Sequence, residues 1–134
     1  MSKSSDIALL LLRMGAGAML IANHGLSKLI SAYGYVVHKQ PWRFIDGVDE
    51  LGFPFPALFA VGAALIETFG SLLLILGLFT RYAAAFVVIL MSVAIYRHLS
   101  SDFRYELAAM YLLVALALLL IGPGRFSLDA KRRK

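Results

Sequence analysis

The chain has 134 residues, 60% of them hydrophobic, with a mean hydropathy of +0.80 and a formal net charge of +5. A soluble domain averages about 45–50% apolar residues, and one core of this size cannot hide the excess, so a lipid bilayer is the expected solvent. There is no cysteine, which excludes disulfides, thiol redox couples, thiolate metal sites and covalent c-type haem.

In chain order, residues 1–5 carry one lysine and lead into an apolar span, 6–30, that is too long for a signal-peptide core. It reads as a retained first membrane helix. The loop at 31–53 follows. Within it Trp42, Ile45, Val48 and Leu51 recur at helical spacing, which predicts a short helix on the membrane surface with Trp42 as anchor. Further spans are expected at 54–79, 82–99 and 104–121, each near the ~20 residues needed to cross the hydrocarbon. The alternation of a membrane barrel is absent, and lipid demands internally satisfied backbone, so the spans are helices. Thr80-Arg81 and residues 100–103 are tight connections. The expected fold is an all-α membrane domain: a four-transmembrane-helix bundle with an interfacial segment in the first loop and a basic tail at 122–134.

Four spans put both termini on one side. That side carries seven basic residues, Lys3, Arg81, Arg125, Lys131, Arg132, Arg133 and Lys134, against five on the other, Lys28, Lys39, Arg43, Arg97 and Arg104. The bias predicts a multi-pass protein of the inner (plasma) membrane with cytoplasmic termini. The basic tail reads as a flank beside anionic lipid, and no nucleic-acid partner is expected.

Polar residues inside the spans are the candidate site. A carboxylate at the centre of a membrane helix costs roughly 2.5–3.5 kcal/mol on insertion scales, so Glu67 needs a partner or a job. Ala60, Ala63, Glu67, Gly70 and Ser71 share one helical face, and small residues mark close helix contact, so Glu67 is expected to face the interior. Arg13, Gly17, His24 and Lys28 share a face of the first span. By depth, Arg13 and Glu67 are expected to form a structural ion pair that fixes helix register. His24, Lys28, His98 and Glu106 are expected to line one outward-opening polar pocket with Glu67 at its floor. The competing reading has Lys28 snorkelling to headgroups and His98 capping its helix. Arg97 and Arg104 are placed at the headgroup boundary and His38 in solvent. No metal site is expected, and no catalytic residue is assigned.

The run Leu12-Arg13-Met14-Gly15-Ala16-Gly17 through His24-Gly25-Leu26-Ser27-Lys28 resembles the first helix of the DoxX family of small membrane proteins. So do Gly52-Phe53-Pro54-Phe55-Pro56, Glu67-Thr68-Phe69-Gly70, Leu76-Gly77-Leu78-Phe79-Thr80-Arg81, His98, and the ending from Gly122 to Asp129. The resemblance implies a four-helix bundle and a subunit of a quinone-linked or thiol and oxidative-stress redox system. That system would bring a partner protein, or a homo-oligomer, and a mobile quinone rather than a covalently held cofactor, and the outward-facing pocket would bind a quinone headgroup or a small anion. Arg13, His24, Lys28, Glu67 and His98 are the positions that match. The alternatives are a non-catalytic assembly protein and a small-solute carrier; no internal repeat or broken helix marks the latter.

Overall fold

The computed structural model describes residues 1–133, and it is helical throughout its ordered elements. α1 spans Lys3–His38, α2 Arg43–Asp49, α3 Pro56–Leu76, α4 Thr80–Ser101, α5 Glu106–Ile121 and α6 Leu128–Arg132. Three of these, α1, α3 and α4, are long and apolar enough to cross a membrane; α5 is apolar but shorter, at 16 residues. Exposed Leu, Ile, Phe and Met cover their outer faces, the pattern of helices solvated by lipid. Inside, Ala60, Ala64 and Ala84 have no exposure at all, so the backbones approach closely where side chains are smallest. The core runs from Leu9, Leu20 and Leu74 to Ala83, Val87, Met91, Tyr111, Ala115 and Leu118.

α1 differs from its expected extent. It continues past Ile30 to His38 and ends only where Lys39 adopts a left-handed conformation, φ 55°. Residues 31–38 contain no proline, and Ala32 and Gly34 are buried, so packing carries the helix through a stretch whose polar and aromatic composition suggested a loop. At 1.5 Å per residue its 36 residues reach roughly 54 Å, well beyond a ~30 Å hydrocarbon core. The short helix expected in the first loop is present as α2, with Trp42 at its N-terminal boundary stacked on Phe44, ring centroids 5.5 Å apart. The turn between α3 and α4 lies at Gly77-Leu78-Phe79, just before the expected Thr80-Arg81.

α1 and α3 run antiparallel: Gly17 packs on Ser71 and Ile75, whereas Gly25 packs on Glu67 and Thr68. Each holds one π-helical turn, Ile21–Gly25 in α1 and Ile66–Gly70 in α3. The turns sit against each other, with the Gly25 backbone so close to the Glu67 carbonyl that a Cβ would lie 2.8 Å from it. A short repeat underlies the pair and was passed over in the sequence. Gly17, Ala18, Leu20, Ile21 and Gly25 recur at the same spacing as Gly62, Ala63, Leu65, Ile66 and Gly70. A π-turn inserts one residue and re-aims the side chains around it, and such turns frequently frame functional groups. Here they carry His24 and Glu67.

Candidate functional site

A cavity of about 480 Å³ opens between α2, α3 and α4 at the end of the bundle away from the termini. Its walls are apolar: Phe44, Val48 and Leu51 from α2 and its exit, Leu58, Phe59 and Ile66 from α3, Ile89, Leu90 and Val93 from α4. Leu58, Phe59 and Ile89 are also exposed, so the cavity opens through its apolar wall. Its polar groups are Lys28, Glu67, Arg97 and His98.

Glu67 is 4% exposed and inward, held there by the small-residue face it shares with Ala60, Ala63 and Ser71. Its Oε1 accepts from Lys28 Nζ at 2.7 Å. Its Oε2 is buried without a hydrogen-bond partner among the described residues. Lys28 also stands 4.6 Å from the Phe44 ring centroid, a cation–π contact that ties α2 to α1. Arg97 lies across Gly47, where a side chain on α2 would collide with its guanidinium. α2 is thus seated over the polar end of the cavity by two cations.

The ion pair expected between Arg13 and Glu67 does not form; the partner of Glu67 is Lys28. Two causes separate the expected pair. α1 passes α3 with Gly17 opposite Ser71, which puts Arg13 level with Gly77, a full helical segment from Glu67. The π-turn also moves Lys28 onto the Glu67 side. Arg13 is fully buried and donates from Nη2 to the Phe126 carbonyl at 2.6 Å. Gly77, φ 65°, supplies the space its guanidinium occupies.

The other candidates divide. His98 lines the cavity and shares a 2.8 Å hydrogen bond with Asp102 through Nδ1. That bond comes first among the causes that hold the exposed Asp102 carboxyl below its ordinary value, followed by the Arg104 amide. His24 packs edge-on against Tyr111, centroids 6.1 Å apart, in the electrostatic neighbourhood of Glu67, Lys28 and His98, but it is not among the residues lining the cavity. Glu106 is exposed at the start of α5 and outside the lining. The expected pocket therefore brings together Lys28, Glu67 and His98, sets His24 behind them and leaves out Glu106. Glu106 is left out because α5 presents that position outward. The same region is also far more apolar than expected.

Sequence reasoning missed Arg97 and Phe44. The available signal was Gly47 in the middle of a short amphipathic helix, a residue that weakens a helix unless a neighbour needs its space. Among the described residues no group of three or more His, Asp or Glu is placed to hold a metal.

The DoxX family profile matches residues 8–99, a range that includes Arg13, both π-turns, the cavity and His98. A protein of Haemophilus influenzae described as uncharacterized is 35% identical over 108 residues, which cover 71% of this chain and 69% of the relative. No solved structure matches. With more than half its length inside the profile and that relative beside it, the chain belongs to the DoxX family.

Proposed function

We propose that this protein is the ligand-binding membrane subunit of a quinone-linked or thiol and oxidative-stress redox system, and that the cavity beside Glu67 receives a quinone headgroup. The observation that carries the reading is the cavity's composition: open apolar walls, ending on Lys28, Glu67, Arg97 and His98. A volume of about 480 Å³ lies within the ~300–1,000 Å³ of small-molecule sites. A water-soluble anion fits such walls poorly; a membrane-dissolved amphipath with a polar head fits them well. A quinone supplies electron and proton acceptance when bound. Lys28 Nζ donates a hydrogen bond to a carbonyl oxygen. The His98 ring nitrogen not engaged by Asp102 accepts from a hydroxyl, so the same site suits an oxidised or a reduced ring, and Glu67, paired with Lys28 beside it, is a candidate proton relay. Catalysis by this chain alone is not part of the proposal; the electron donor belongs to a partner subunit. In this reading the protein crosses the inner membrane four times, with α5 as the fourth span and both termini in the cytoplasm.

Trp42 is the only tryptophan, and it stacks on cavity-lining Phe44, so it reports on the site. Saturable quenching of its fluorescence by a short-chain quinone is expected in wild-type protein and expected to vanish in Ala63→Trp, read by competition, and in Lys28→Met. Linear, unsaturable quenching in all three would end the quinone assignment.

A second reading, a non-catalytic assembly protein, draws on the close Lys28–Glu67 pair, which satisfies much of the site internally. The exchange Lys28→Glu with Glu67→Lys separates the two. An assembly protein keeps its partner with the pair reversed, whereas the ligand site does not survive a reversed dipole.

A further inference from the structure

A second cavity, of about 600 Å³, opens at the opposite end of the bundle, beside the chain termini. The start of α4 gives it Arg81 and Tyr82, the end of α5 gives Leu119, and α6 gives Asp129, Arg132 and Arg133. Three guanidinium groups thus face one carboxylate, and that carboxylate is committed. Asp129 Oδ1 accepts from the Phe79 amide and Oδ2 from the Thr80 amide, both at 2.9 Å. The Asp129 amide donates in turn to the Gly77 carbonyl at 2.9 Å. No arginine of the cavity forms an ion pair within the described residues.

The tail helix is therefore pinned in place by bonds to backbone, while its arginines make no ion pair among the described residues. Arg132 lies 5.0 Å over the Phe79 ring centroid, and Arg81 runs alongside Gly122. Below them the wall turns apolar. Ala85 and Leu119 belong to α4 and α5, and Tyr82 is 72% exposed at the boundary where a tyrosine suits a membrane–water interface. Cations above and hydrocarbon below describe a receptor for a molecule with an anionic head and an apolar body. Guanidinium forks match phosphate oxygens in pairs.

We propose that this cavity binds the phosphate of an anionic phospholipid from the leaflet on the side of the termini, with its acyl chains lying along Ala85 and Leu119. The site is independent of the quinone cavity and stands or falls separately from it.

The test uses full-length protein relipidated from vesicles of equal phosphatidylglycerol and phosphatidylcholine with identical acyl chains, with retained lipid counted by native mass spectrometry. Wild-type protein should retain phosphatidylglycerol preferentially. At roughly fivefold for each arginine near a membrane surface, Arg81→Gln with Arg132→Gln and Arg133→Gln should lower that preference on the order of 100-fold. Lys39→Gln with Arg43→Gln and Arg104→Gln, at the other end, should leave it unchanged. Ala85→Trp alters no charge but fills the apolar wall; it should also release the lipid, and it carries the test if the triple variant fails to fold. Equal loss from both triple variants would reduce the effect to general charge attraction and overturn the proposal. So would unchanged retention in Arg81→Gln/Arg132→Gln/Arg133→Gln. Displacement by millimolar inorganic phosphate, with Ala85→Trp binding normally, would assign a free anion instead of a lipid.

Discussion

The two ends of the bundle use buried charge in opposite ways. At the end beside the termini, charged side chains bond to backbone, although Arg13 Nε and Nη1 are buried without a partner among the described residues. Arg13 holds the Phe126 carbonyl, Asp6 accepts from the Arg125 amide at 2.9 Å, and Asp129 takes the amides of Phe79 and Thr80. These bonds join chain regions far apart in sequence, and they fasten the tail to α1 and to the turn between α3 and α4. At the other end, Lys28 and Glu67 meet side chain to side chain next to a cavity. A side chain spent on backbone has little freedom to exchange partners without loosening the fold. A side-chain pair beside an open volume exchanges one partner for a ligand at small structural cost. Burial is similar at the two sites, with Arg13 at 0% and Glu67 at 4% exposure, so burial alone does not distinguish an anchor from a binding site.

The contrast is open to breaking, and the largest effect is expected at the anchored end. Gly77→Val puts a β-branched residue at φ 65° and drives its side chain into the Arg13 guanidinium and Ser127. Strain and overlap together should cost about 4 kcal/mol or more, seen as a large fall in thermal unfolding temperature in detergent. A variant of wild-type stability would mean that the anchor is not rigid.

Next in size is the ion pair at the open end. Lys28→Met leaves a buried carboxylate without its cation and should destabilise by about 2–3 kcal/mol, below the full cost of a broken buried pair because Lys28 is partly exposed. Adding Glu67→Gln should recover most of that stability while quinone binding stays lost. A double-mutant cycle that shows no coupling would contradict the pairing.

A smaller effect is expected at Asp129. Asp129→Asn weakens the bonds to two amides at the start of α4, a capping loss of about 0.5–1 kcal/mol for a group this near the surface. Partial burial pushes the Asp129 carboxyl up, but the amide bonds from Thr80 and Phe79, with Arg132 nearby, hold it below 3.8 overall. A lowered folded-state value means that its contribution is present at neutral pH and is lost as pH falls through that value. Amide exchange at Thr80 should accelerate in that acidic window in wild-type protein, whereas Asp129→Asn should show no such window. An acid effect that persists in the variant would place the titrating group elsewhere.

The smallest effect sharpens the boundary of the site. Glu106→Gln should leave Trp42 quenching by quinone unchanged within error, whereas His98→Ala should weaken it. Equal effects would return Glu106 to the pocket.

Sequence alone determined the solvent and the scaffold. Hydropathy and length marked the apolar helices, and small residues at helical spacing put Glu67 inside. Spacing around Trp42 marked the short helix of the first loop, and the motifs named the family. These features are legible because they depend on local period and on the cost of polar groups in lipid. Tertiary structure decided the pairings. Arg13 and Glu67 are matched by depth estimated along straight helices, but the π-turns and the Gly17 and Gly25 contacts set the register between α1 and α3. That register gave Glu67 to Lys28 and Arg13 to the tail. The cavity, Arg97 on Gly47, and the capture of two amides by Asp129 likewise join residues with no shared local pattern. A residue's own sequence context fixes whether it is buried; which neighbour meets it depends on helix crossing and rotation, and a shift of one residue there changes the partner.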